Sequence, residues 1–234
     1  MSSPDSRRAY GEHSPYIQRD LGGLVSRISW KARRAMFRSL NDVAGLDSST
    51  SVLDVGVTND RRLDSNFFEQ LHPHPQNVVA VGLEDFGFLR QRHPRLKFCR
   101  ADGLELPFAD QTFDLVVSFA VIEHIGSRAR QRAFLHELCR VGRACFVTTP
   151  NRWFPIEFHT LLPFAHWLPP VWFRRLARTL GQGFFAQEAN LNLLSDSELR
   201  SMLPDGSSVA TRHHRMLGGI SNLAFYVVPR ARAV

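Results

Sequence analysis

The sequence predicts an α/β domain built on a doubly wound, mostly parallel, seven-stranded sheet, and three observations support that class. From Ser51 onward, short β-branched apolar runs alternate with helix-like segments, the pattern of parallel strands buried on both faces by crossover helices. Three successive runs end in, or pass at once into, a carboxylate, which gathers acids along one rim of the sheet. The last two runs are joined by a short turn, so an antiparallel edge strand completes the sheet.

The elements follow in order. "LVSRISWKARRAMFRSLNDVAGL" repeats apolar residues at Ile28, Ala32, Ala35, Met36 and Leu40 and reads as a helix, making residues 1–50 an N-terminal helical lid near the first strand. The strands are "SVLDVG", "NVVAVGL", "LKFCRA", "FDLVVSF" and "ACFVTT". Leu63 to Leu71 and Asp85 to Gln91 are short helix candidates between them. Ser127 to Val141 is a longer one, opened by Ser127 as N-cap and carrying Phe134, Leu135, Leu138 and Val141 on one face. Residues 151–186 form an aromatic-rich helical insertion after the fifth strand. "SDSELRSML" opens with a capping box, Ser195 to Glu198, and "SSVATRHH" and "NLAFYVV" are the closing strands of a second unit spanning 51–234.

Composition narrows the functional classes. The chain has 234 residues, 44% hydrophobic and 22% charged, and no run of about 18 apolar residues that would span a bilayer. Its N-terminus is polar and lacks the apolar stretch of a secretion signal, so a cytoplasmic location is expected. Cys99, Cys139 and Cys145 show no CxxC spacing and read as free thiols. The net charge of +7 is concentrated at the two ends, with 12 basic and 12 acidic residues between 51 and 150, so no nucleic-acid-tracking stripe is expected. "HPHP" at 72–75 and "HH" at 213–214 read as turn or surface features, and no metal site is expected.

In doubly wound sheets the ligand lies beyond the carboxyl ends of the strands. Those ends supply Asp54, Gly56, Thr58 and Asp60 after the first strand, Glu84 after the second, Asp102 and Gly103 after the third, and Phe119 at the end of the fourth, with Glu123 and His124 just beyond. An acid closing the second strand suits a ribose diol, and Glu84 is preferred to Asp85 because it keeps the spacing Gly82, apolar, acid.

"VLDVG", "VVAVGLE" and above all "ADGLELPFADQTFDLVVSFAVIEHI" resemble the class I S-adenosylmethionine-dependent methyltransferases, in the branch with a methyltransferase type 11 domain. The resemblance covers Ser51 to Asn151 and implies a Rossmann-like fold with S-adenosylmethionine as cofactor. It implies that Glu84 holds the ribose hydroxyls, that Asp102 and Gly103 bracket the adenine, and that Gly56 and its loop face the methionine moiety. The family's motif I reads Asp-x-Gly-x-Gly-x-Gly, whereas here the frame is Asp54, Gly56, Thr58, Asp60. Thr58 is a poor stand-in for a glycine at positive φ; Asn59 and Asp60 tolerate that region better, so a bend shifted by one residue is expected, with Asp60 placed to meet the cofactor's ammonium.

Methyl transfer from a sulfonium asks the protein mainly for orientation and exclusion of water. His124 is the candidate base, with a reading as a mere orienting residue beside it, and His159 is a further site candidate. Residues 151–186 hold nine Phe or Trp side chains and four Arg against one Glu. Within them, a helix from Pro169 and Pro170 to Gly181 sets Phe173, Leu176, Ala177 and Leu180 on one face and Arg174, Arg175 and Arg178 on the other. That pattern points to a small or lipid-linked acceptor and to peripheral membrane contact through 170–181. The competing readings are a scaffold that has lost its chemistry and a nicotinamide-dependent oxidoreductase. The second lacks the glycines of GxGxxG and a Tyr-x-x-x-Lys pair.

Overall fold

A computed structural model describes residues 23–60 and 65–230. The predicted helix start at Leu63 and the side chain of Ile28 lie outside the described residues. The sheet has the strand order β3-β2-β1-β4-β5-β8-β6, with β7 also paired to β8, where β6 is Ser208–Thr211, β7 His214–Met216 and β8 Gly219–Val228. Strands β1 (Val52–Val55), β2 (Val78–Gly82), β3 (Lys97–Arg100), β4 (Phe113–Phe119) and β5 (Gly142–Pro150) run parallel, in the five places predicted. Because β1 and β4 lie at the centre, Asp54 is flanked by Ala80 of β2 and Val117 of β4.

Period-two alternation divides the core into two layers. Leu53, Val55, Val116, Cys145 and Val147 face Phe134, Leu135 and Leu138 of α4 (Arg128–Val141) and Leu199 and Met202 of α6 (Asp196–Met202). Val52, Val78, Leu115, Val117 and Phe146 face Leu40 of α1 (Gly23–Ala44) and Phe68 of α2 (Phe67–Leu71). Leu138 is fully buried, so cutting it to Ala would cost about 2–5 kcal/mol. The helix starts follow local chemistry. Ser127 accepts from Arg130 N–H, and Ser195 and Glu198 form both halves of the capping box.

Two expectations about the sheet change. The closing strand predicted over "SSVATRHH" breaks into β6 (Ser208–Thr211) and β7 (His214–Met216), giving eight strands among the described residues. At the break His213 Nδ1 accepts the Ala224 N–H at 3.2 Å, taking over a ladder position, while Arg212 N–H still reaches Ala224 O. The antiparallel strand β8 (Gly219–Val228) is not at the edge but between β5 and β6. It is long and largely buried, and the short broken pieces take the exposed edge, where unpaired backbone is least harmful. Leu217 and Gly218, both at positive φ, make the two-residue turn between β7 and β8.

The histidines of "HPHP" are not all at the surface: His72 is buried against Phe68, with its Nδ1 accepting from His74 N–H. On α5 (Pro170–Thr179) only Phe173 and Ala177 of the apolar face are buried, leaving Leu176 and Leu180 exposed beside Val171 and Trp172. The C-terminal half of α1 packs on the sheet, and its Arg33 reaches the rim of the cleft. Among the described residues, no helix is long and apolar enough to cross a membrane.

Candidate functional site

A cleft of about 300 Å³ opens at the carboxyl ends of β1, β2, β3 and β4. Asp54, Gly56, Thr58, Asp60, Glu84, Asp102, Gly103, Phe119, His124 and His159 all line it, whereas Asp85 does not. The sheet order explains the gathering, since β2, β1 and β4 are adjacent and β3 flanks β2.

The loop after β1 turns at Gly56, whose φ of +113 suits only glycine. Gly56 and Val57 both donate to Val81 O, at 2.8 and 3.0 Å, which holds the loop against β2. The expected shift of the bend to Asn59 or Asp60 does not occur: neither has positive φ. The residue in the left-handed region is Asn66, the N-cap of α2. Its side-chain amide accepts from Thr58 N–H at 3.1 Å and donates to Thr58 O at 2.7 Å, so one amide clamps the stretch that glycines would otherwise shape. Asn59 N–H donates to Glu84 Oε2 at 2.8 Å, and Ser65 Oγ donates to the buried Asp60. At the third strand end, Asp102 Oδ1 accepts from Leu104 N–H. Gly103 is required for packing, because a Cβ there would fall 2.6 Å from the Phe134 ring.

Asp54 shares the face of Val52, where α2 brings Glu69 opposite it. Burial raises the Glu69 pKa to about 7, and burial together with the Glu69 charge pushes Asp54 up as well. Neither Glu69 oxygen has a hydrogen-bond partner among the described residues.

The other end of the cleft is built from the turn after β4 and from the insertion. Glu123 is fully buried, its Oε2 accepting from Thr149 Oγ1 of β5 at 2.9 Å, and burial raises it to about 7. His124 Nδ1 lies 2.7 Å from Asn190 O, so that nitrogen carries the hydrogen; burial lowers its pKa to about 3, which weakens it as a base at neutral pH. The His124 and His159 rings meet edge to face at 4.7 Å. Glu157 accepts from His159 Nδ1 at 2.6 Å and from the backbone N–H of His159 and Thr160. Against the cost of its burial, these donors hold Glu157 at about 2, and Glu157 in turn raises His159 against its own burial.

Glu69, Asn66, Glu157 and Asn190 were not expected at the site. Gln131 was also missed, although it lies at helical spacing from Phe134, Leu135 and Leu138. It is fully buried and donates to Ile122 O and Asn192 O, tying α4 to the chain beside His124.

The fold is Rossmann-like, with its cleft at the carboxyl ends of the parallel strands. Residues 53–144 match the model of the family described as methyltransferase domain. A Mycobacterium tuberculosis protein named as a probable S-adenosylmethionine-dependent methyltransferase is 39% identical over 82 residues, covering 33% of this chain and 29% of the relative. A similarly named Mycolicibacterium smegmatis protein is 38% identical over 64 residues, covering 27% and 25%. The chain thus spans less than a third of the curated relatives it matches. Among solved structures, magnesium protoporphyrin IX methyltransferase of Synechocystis, with S-adenosylhomocysteine bound, superposes with TM-score 0.55 at 14% identity, over 92% of this chain and 91% of that one. A Pyrococcus horikoshii protein gives 0.58 at 15%, over 93% and 96%, and these two likenesses establish the fold. Residues 53–144 thus resemble a methyltransferase domain, and the relatives matched are named as dependent on S-adenosylmethionine.

The residues present fit that cofactor. Glu84 and Asp102 offer acceptors for ribose and adenine donors at one end of the cleft, and Leu83 adds an exposed apolar side chain. At the other end Asp54, Asp60 and Glu69 form a carboxyl-rich pocket suited to an amine, and the buried Glu69 oxygens still lack donors among the described residues.

Proposed function

We propose that the protein transfers a methyl group from S-adenosylmethionine to an acceptor that is apolar or lipid-linked and enters beside the aromatic insertion. The observation that carries the reading is the meeting of Gly56, Glu84 and Asp102 with His124 and His159 in one cleft, although they come from four strand ends and a distant loop. The cofactor supplies an electrophilic methyl on a sulfonium. In this reading the protein's side chains orient the two reactants and keep water out. Glu84 holds the ribose end, Asp54 and Asp60 the amine end, and the His124 and His159 rings floor the acceptor side.

The acceptor class rests on the surface around the insertion. Trp153, Phe164, Trp167, Leu168, Val171, Trp172 and Leu180 are exposed together with Arg175 and Arg178, and Arg175 lies over the Trp172 ring at 5.3 Å. Aromatic side chains with basic neighbours suit the interface of an anionic membrane, so we place the protein against the cytoplasmic face of such a membrane through 170–181.

Calorimetric titration with S-adenosylmethionine tests the reading. Saturable micromolar binding that weakens at least about tenfold in Asp102→Ala supports it. Absence of binding up to millimolar concentration overturns it and leaves a binding scaffold on a methyltransferase fold.

A further inference from the structure

Beyond the cofactor's seat, the cleft floor holds a group of side chains that methyl transfer does not require. We propose that Glu123, His124 and His159 form a site for one divalent transition-metal ion. One ligand atom from each lies within 4.8 Å of the other two. Metal bonds of about 2.0–2.2 Å set ligand pairs about 3–4 Å apart, so modest side-chain rotations close the set.

Three features of the group point to a cation. The first is Glu123 itself. Its residue is fully buried, Oε2 is satisfied by Thr149, and Oε1 has no hydrogen-bond partner among the described residues and faces His124 Nε2 at 4.0 Å. A buried carboxylate oxygen left in that state is costly unless something positive meets it.

The second is the outer layer. His124 directs Nδ1–H to the Asn190 carbonyl and His159 directs Nδ1–H to the Glu157 carboxylate. His124 turns its Nε2 toward Glu123 Oε1, and Nε2 is the nitrogen of His159 that its bond to Glu157 leaves over for a metal. A backbone carbonyl and a carboxylate on the far nitrogens are the two commonest devices for fixing the tautomer of a metal-bound imidazole. The backbone N–H groups of His159 and Thr160 in turn hold Glu157 in place.

The third is access. His124 and His159 line the cleft, so coordination positions left open by three protein ligands face the space where an acceptor enters. Two imidazoles and one carboxylate suit Zn²⁺, Fe²⁺ or Mn²⁺ and not the all-oxygen preference of Ca²⁺ or Mg²⁺. An ion there would seat an acceptor through oxygen, as a hydroxyl or an adjacent pair of hydroxyls. That last assignment rests on the methyl-transfer reading, whereas the metal site does not.

The test is metal binding by the untagged full chain after chelator treatment, measured calorimetrically with Zn²⁺, Mn²⁺ and anaerobic Fe²⁺, with bound metal counted by elemental analysis. About one equivalent should bind at least one of these ions. His159→Gln and Glu123→Gln should abolish binding, and Glu157→Gln should weaken it about 10- to 100-fold. The exposed His136→Gln should change nothing. Melting curves and S-adenosylmethionine titrations of each variant report whether the fold and the cofactor's seat survive. If none of the three ions binds, or if His159→Gln binds as the parent does, the proposal is overturned. Metal binding without cofactor binding would sink the methyl-transfer reading and leave the metal site standing.

Discussion

Gly56 in the loop after β1 sits against Val121 in the turn after β4, so closely that a Cβ on Gly56 would fall 2.1 Å from Val121 Cγ2. The two loops are therefore one packed unit, and His124 rides on it three residues beyond Val121. Gly56→Ala should destabilise the fold by about 1–3 kcal/mol in urea unfolding and weaken cofactor binding at least tenfold. Adding Val121→Ala should recover the steric share of the loss while the cost of φ +113 remains.

Asn66 replaces a pattern of glycines with one amide bonded twice to Thr58. Asn66→Gly keeps the left-handed backbone and removes both hydrogen bonds, costing about 1–2 kcal/mol of stability and roughly tenfold in cofactor affinity by calorimetry. If the affinity is unchanged, the clamp does not shape the cofactor loop.

Glu69 gives the site a pH dependence whose sign is set by burial. Its folded pKa, about 7, lies above its ordinary value of 4.5, so the folded state binds this proton more tightly than the unfolded chain does. The stability this contributes is complete below about pH 4.5 and is lost as pH rises to about 7. Glu69→Gln should flatten that part of the profile and make the protein more stable than the parent at pH 8, by about 1–3 kcal/mol. Chemical unfolding at pH 5, 6, 7 and 8 reads the difference. A variant less stable than the parent at pH 8 would mean that the ionised carboxylate has a partner.

The exposed side of α5 separates membrane contact from core packing. The double variant Val171→Ser, Trp172→Ser should melt with the parent, because both side chains are exposed. It should also lose roughly tenfold or more of its co-sedimentation with anionic vesicles. Phe173→Ser, on the buried side, should instead lower the melting temperature. Equal sedimentation of the parent with and without anionic lipid counts against the membrane assignment.

What the sequence made legible was local. Ser127 and Ser195 announce helix starts within three or four residues, and the strand ends carry Glu84 and Asp102 to one rim because strand order does the gathering. What it concealed depends on distant partners. Glu69 meets Asp54 only because the phase of α2 turns that carboxyl inward, and "FFEQL" looks the same with the acid outside. Asn190 reaches His124 across 66 residues, and nothing near either residue announces it. The break at His213 arises because an imidazole nitrogen accepts an amide hydrogen from β8, a pairing that strand propensity does not register. Gln131 was within reach, since a polar residue on an otherwise apolar helix face asks for a buried partner.

The interior place of β8 also fixes an order of assembly. Residues 151–218 lie between β5 and the strand that must pair with it, so a chain emerging from the ribosome can complete β1 to β5 while the outer side of β5 is still bare. Until residues 219–228 are made, that bare strand can recruit a neighbouring nascent chain. Premature termination before β8 is therefore expected to yield aggregates, whereas loss of the short β6 edge alone would leave β8 seated against β5.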